Sequence, residues 1–205
     1  MGALKITAQP AIEPVTLAEA KLHFRVDHSV DDALIAGLAL ASRANVEEYT
    51  GRALITQTQR WTLDRFPCRP YLLVPVAPLQ SVTEIRTFDE DDEVGTVFAA
   101  DKYIVDISSE PARIVLKRNE VWPSDLARAG GVRITLVAGY GATAASVPEM
   151  LKLAIKMLAN TWYDNRETMT THNLKEVPGG MDSLLAGFRA WNEFGHACVS
   201  QEGAK

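Results

Sequence analysis

Reactive groups in working arrangements are what this sequence lacks. Its four histidines, His23, His28, His172 and His196, fall in no metal or protease pattern, and there is no serine elbow. The spacing therefore predicts no catalytic, cofactor or metal site, and the histidines read as exposed or capping residues. Cysteine is scarce. Cys68 and Cys198 lie far apart without ligand spacing and read as two free thiols in a reducing compartment. Long apolar runs are missing as well. The longest helical one, Met150 to Trp162, is interrupted by Lys152, Lys156 and Asn160 and is too short for a bilayer. The opening MGALKITAQP has no secretory core segment, so the expectation is a soluble chain in the cytoplasm, away from membranes. Positive charge is in deficit: the net charge is −5. That excludes a basic face gripping nucleic acid, but not a channel through which DNA slides. No internal repeat or low-complexity run is present.

What is present is ordinary globular material, with 47% hydrophobic and 23% charged residues, which excludes disorder over most of the length. Asp31 to Leu63 dominates the pattern. Leu34, Leu38, Ala41, Asn45 and Tyr49 recur at helical spacing, with Ile35, Ser42 and Val46 beside them. This stripe is expected to face other helices, with Asp31, Arg43, Glu47 and Glu48 toward water. Ser29 and Asp32 have capping-box spacing at its start, and Gly51 is placed to end the helix. Before it, Thr16-Leu-Ala-Glu19 is a capping box opening a short helix to about Arg25, and residues 1–14 read as an extended arm.

From Ile55 the periodicity changes to two, with strands expected near 55–63, 71–75, 80–88, 102–107, 112–117 and 132–138. Turn residues punctuate them at short intervals, so each strand is expected to pair with the next in an antiparallel meander or small sandwich. The acidic run Asp89-Glu-Asp-Asp-Glu93 reads as a solvated hairpin tip, since its consecutive carboxylates lack the alternation of a calcium loop. Helices return after Gly141. Ser146-Val-Pro-Glu149 has capping-box spacing, and Met150, Leu151, Ala154, Ile155, Leu158, Thr161 and Trp162 form a broad apolar face. A polar stretch, 167–180, reads as a mobile loop before a last helix from Asp182 to Phe194.

The expected fold class is α+β: a helical bundle formed by N- and C-terminal helices with an inserted antiparallel β domain. The boundaries are 1–54 for the arm and αα-hairpin, 55–141 for the β domain, 142–194 for the C-terminal helices and 195–205 for a tail. Two features compete for a function. Gly139-Tyr-Gly141-Ala-Thr-Ala144 fits a dinucleotide fingerprint, but the helix is expected to begin beyond it and no parallel βαβ unit surrounds it. It reads as an elbow between sheet and bundle, and a nucleotide-binding enzyme using Gly139 and Gly141 is the weaker alternative. Phe188, Trp191 and Phe194 line the last helix either as a satellite core cluster or as a partner-binding surface.

Several segments in order resemble a known family: VTLAEAKLHFRVD, EYTGR at 48–52, PLQSVTEI, VAGYG, WYDNRE at 162–167 and LLAGFR. They are similar to the head–tail connector (adaptor, or head-completion) proteins of long-tailed bacteriophages, prophages and gene transfer agents, over about Val15 to Arg189. The resemblance implies a non-enzymatic virion protein at the head–tail interface, assembled in the host cytoplasm. It implies a homo-oligomeric ring, a dodecamer, between the portal protein and the stopper or tail-terminator protein, with DNA passing through unbound. Another head-completion component, a stopper or tail-completion protein, is the alternative within the same machine.

Overall fold

The computed structural model describes residues 2–90, 94–165 and 181–190. The fold is mixed α+β, with antiparallel sheets inserted between N- and C-terminal helices. It divides into two compact units. One comprises the described residues of 10–56 and 140–190; the other comprises those of 2–9 and 57–139.

The helical unit begins with α1 (Leu17–Phe24), opened by the Thr16 capping box. The Thr16 Oγ1 accepts from the Glu19 amide at 3.3 Å, and the Glu19 carboxylate accepts from the Thr16 amide at 2.7 Å. The Thr16 amide and the Thr16 hydroxyl, which also donates to Glu19 Oε2 at 2.7 Å, hold the Glu19 carboxyl below the ordinary glutamate range. The long helix α2 (Asp32–Thr50) starts differently from the sequence expectation: Asp31 is its cap residue and Ser29 makes no box with Asp32. Tertiary partners take those side chains instead. Lys21 of α1 pairs with Asp32 at 2.6 Å, and the Tyr163 hydroxyl donates to Asp31 Oδ2 at 2.6 Å. Gly51 ends α2 in the left-handed conformation with φ 68°, as a helix C-terminus favours.

The long helix buries only one side of the stripe its spacing suggested, the side carrying Ile35, Ser42 and Val46. Ile35, Ala39, Ser42, Arg43, Val46 and Thr50 are buried, whereas Leu34, Ala41, Asn45 and Tyr49 are exposed. The stripe is rotated by one residue. The reason is that Arg43 and Glu47 neutralise each other inside, so two charged residues occupy positions that residue type alone assigns to water.

α3 (Glu149–Asp164) packs against α2 and buries Leu151, Ala154, Ile155, Leu158 and Ala159. Its start also departs from the Ser146 capping box: Pro148 is the cap residue, and Ser146 Oγ lies 3.1 Å from Thr143 Oγ1. A 3-10 turn over Ala144–Ser146 has already closed on itself, so the serine is spent one turn early. α4 (Met181–Ala186) adds Leu185 to a core built with Val15, Ile35, Val46, Leu54 and Ile155. Among the described residues, no helix is long and apolar enough to cross a membrane.

Among the described residues the β unit holds eight strands: β1 (Ala3–Ala8), β2 (Gln57–Leu63), β3 (Tyr71–Leu73), β4 (Leu79–Thr87), β5 (Thr96–Val97), β6 (Tyr103–Asp106), β7 (Arg113–Leu116) and β8 (Val132–Ala138). They form two antiparallel sheets, ordered β1-β2-β8-β4-β5 and β3-β7-β6. Sequential pairing holds only in part, because β8 inserts between β2 and β4. Its alternate residues Val132, Ile134, Leu136 and Ala138 are fully buried, and a strand that apolar is best satisfied with a neighbour on each side. The arm read at residues 1–14 contributes β1, an edge strand paired to β2 through Leu4 and Trp61. Beside the smaller sheet, Trp122 stacks on Phe66 with centroids 4.5 Å apart and donates its indole N–H to the Arg69 carbonyl at 2.9 Å. Cys68 is disulfide-bonded, which corrects its reading as a free thiol; Cys198 lies outside the described residues.

The rotated face of α2 has a direct test. Ile35→Ala should cost about 2–5 kcal/mol, since a fully buried side chain leaves a cavity. Leu34→Ala, one residue away, should change stability by no more than about 0.5 kcal/mol. Urea unfolding of the two variants checks the assignment.

Candidate functional site

The glycine elbow sits where β8 gives way to the helical unit. The Gly139 N–H donates to the Pro78 carbonyl at 3.0 Å, and the Tyr140 N–H donates to the Leu54 carbonyl at 3.2 Å. The Gly141 carbonyl in turn accepts from the Thr56 amide at 3.0 Å. A phosphate cradle needs amides aimed at open space and a helix N-terminus behind them. Here the Gly139 and Tyr140 amides are committed to carbonyls, and α3 begins beyond the motif at Glu149. Between Leu54–Thr56 and Tyr140–Gly141 the bonds continue strand-like pairing for two more rungs. The elbow is a structural joint.

The acidic run begins the β4–β5 hairpin as expected. Glu90 pairs with Arg128 at 3.2 Å, an exposed contact of small energetic value. Asp91, Asp92 and Glu93 lie outside the described residues. Among the described residues no cluster of carboxylate, histidine or thiol groups could hold a metal ion. His23 and His28 are exposed near the end of α1, and His172 and His196 lie outside the described residues.

Of the three aromatics assigned to partner binding, Phe188 is described; Trp191 and Phe194 are not. Phe188 is half-buried against the helical core, and its carbonyl accepts a hydrogen bond from Arg52 Nε. The chain there is fixed at two further points: Ala190 N–H donates to the Thr50 carbonyl at 2.8 Å, and the Arg189 guanidinium lies 5.7 Å from the Tyr49 ring centre. Residues 188–190 are thus laid along the last turn of α2. The 167–180 segment and the tail after Gly195, read from sequence as mobile, lie outside the described residues.

That last turn is where the EYTGR segment belongs, and sequence reasoning identified the motif without seeing what it holds. Arg43 donates to Glu47 Oε2 at 2.6 Å and to Glu13 at 2.8 Å. Glu47 Oε1 accepts the Leu54 amide at 2.8 Å, and Thr50 Oγ1 returns a bond to the Val46 carbonyl at 2.6 Å. Arg52 reaches Phe188 and also stands 5.9 Å from the Tyr140 ring centre. One helix turn thereby gathers the N-terminal arm, the exit to β2, the elbow after β8 and the C-terminal segment. Burial pushes the Glu47 carboxyl above its ordinary range, with the Leu54 amide and Arg43 opposing that rise. The signal available beforehand was the i,i+4 spacing of Arg43 and Glu47, which reads equally well as a surface pair.

The fold defines a class first: a helical unit interrupted by an antiparallel β unit, with a stapled turn at the end of its longest helix. Comparison with solved structures then finds that architecture in phage-like particles. One similar chain belongs to the virion of a native gene transfer agent particle. It is 25% identical, with a TM-score of 0.79 over 94% of this chain and 98% of that one. Another belongs to the neck of an empty particle of this kind computed with C6 symmetry, 25% identical at a TM-score of 0.79 over 95% and 98%. A third, from the neck of a native particle computed with C12 symmetry, is 24% identical at 0.72 over 93% and 99%, and speaks for the fold alone. No family model and no curated protein sequence matches.

The stapled turn has its own test. Glu47→Ala leaves the buried Arg43 with Glu13 alone and the Leu54 amide without its acceptor, and should cost about 2–4 kcal/mol. Because its raised pKa lets the folded chain take up a proton first, Glu47's own contribution to stability falls as pH rises through the window between its unfolded and folded values. The gap between wild type and variant should therefore narrow across that window. Urea midpoints measured from about pH 4 to about pH 8 check both statements.

Proposed function

We propose that this chain is a head–tail connector subunit of the adaptor kind in the neck of a phage-like particle. The observation that carries the reading is the end-to-end fold likeness to chains of gene transfer agent virions and necks, nearly complete in both directions. The motif resemblance from Val15 to Arg189 points the same way. On this reading the work is geometric. About a dozen copies close into a ring beneath the portal, continue its DNA channel and present the surface on which a stopper or tail-terminator protein seats.

The charge balance suits that task. At −5 per chain, twelve copies carry on the order of sixty negative charges, screened beyond a Debye length of about 8 Å in physiological salt. An acidic or mixed lumen repels phosphates weakly and lets DNA slide, where a basic one would hold it. The portal contact falls to the C-terminal segment. The Arg52 and Thr50 contacts to residues 188 and 190 provide a fixed root, and Trp191 and Phe194 follow immediately as aromatic anchors of the type that dominates interfaces.

Removing residues 191–205 should leave the thermal transition of the helical unit in place and abolish co-sedimentation with isolated portal rings. A truncated chain that binds portal with unchanged affinity would place the docking surface elsewhere. A full-length chain that binds no portal would favour the stopper or tail-completion role.

A further inference from the structure

The back of α2 is apolar where a surface helix ordinarily carries charge. Ala33, Leu34, Gly37, Leu40, Ala41 and Ala44 are all exposed, with Leu40 at 51% of its full accessibility. Val30, 86% exposed just before the helix, extends the face by a turn. Between Asp32 and Glu47 the helix has a single charged residue, Arg43, and that one is buried. A face of this length without one charge is the mark of a covered surface.

Gly37 supplies an independent observation. It stands in the helix interior, where only proline is less favourable, yet a Cβ placed on it would meet nothing within 4 Å. Nothing among the described residues requires a glycine there. With Ala33 and Ala41 one turn to either side, it lets another backbone approach closely, and Leu34 and Leu40 flank the groove as knobs.

We infer that this face is the contact between neighbouring copies of the chain in its ring, and this rests on the neck reading above. Three points favour a second copy as the occupant. One similar chain comes from a neck computed with sixfold symmetry, and a closed ring requires each subunit to offer a surface to an identical neighbour. Copies that each carry −5 repel one another through their charged surfaces, so an uncharged face is where they meet at least cost. Among the described residues the face itself carries no cation to hold a nucleic acid or an anionic lipid headgroup.

Native mass spectrometry of portal rings mixed with limiting amounts of the full chain tests the inference. Wild type should fill the ring cooperatively, giving empty and complete complexes. Leu40→Arg, whose exposed position spares the fold, should bind as scattered single copies and need about tenfold more protein to complete a ring, as loss of a central interface contact does. Gly37→Ala should raise the melting temperature while lowering cooperativity, a pairing that a purely structural role would not produce, and it stands as the test if Leu40→Arg misfolds by circular dichroism. Cooperative filling by both variants at the wild-type concentration would overturn the inference and leave the neck reading intact. No binding by wild type would overturn the adaptor reading, and the ring contact that rests on it.

Discussion

A guanidinium and a carboxylate taken out of water together set the shape of the helical unit. Arg43 and Glu47 sit one turn apart near the end of α2, their side chains 6% and 10% exposed. Neither would be stable there alone, because an unpaired buried charge costs several kcal/mol. Each therefore fixes what surrounds it. Arg43 needs Glu13, which brings the arm in; Glu47 needs the Leu54 amide, which turns the chain from helix toward β2. Once the chain turns at that point, Thr50 and Arg52 are placed to receive residues 188–190. The apolar core of Ile35, Val46, Leu151 and Ile155 supplies most of the stabilisation, but the ion pair decides which face of α2 is inside.

That choice has a consequence for the outside. With Arg43 and Glu47 drawn inward, the middle of α2 turns small and apolar side chains toward solvent. A monomer gains nothing from such a surface and gives up helix stability at Gly37. An assembled subunit gains a close, uncharged contact. The same interaction thus links the internal staple to the proposed ring, and it explains why a chain with no catalytic constellation in its sequence keeps so specific a turn.

Much of the architecture could be read from residues alone, because local rules governed it. The Thr16 capping box, the Gly51 stop and the period-two segments behave as their chemistry dictates, and the helix–β–helix order follows from where the periodicity changes. What could not be read depended on partners distant in the chain. Asp32 and Ser146 had capping spacing, but Lys21 and Thr143 claimed their side chains. Leu4 and Ile6 alternate as a strand, yet β1 exists only because β2, more than fifty residues on, lies beside it. The place of β8 between β2 and β4 is likewise a competition among all the strands. Arg43 and Glu47 were legible as a pair but not as a buried one, and that misplacement rotated the predicted face by one residue. Of the candidate site, Phe188 was found for its aromatic character, while its fixed backbone came from Arg52, legible only as part of the EYTGR segment and not as a contact to residue 188.

The central claim is that this chain forms a ring on a portal. Electron microscopy of the purified protein mixed with portal rings addresses it most directly. The account predicts an added closed ring of about twelve copies, coaxial with the portal and continuing its channel, as head-to-tail cyclic contacts require. Portal rings that remain bare in excess protein, or that carry it as isolated copies without closure, would contradict it.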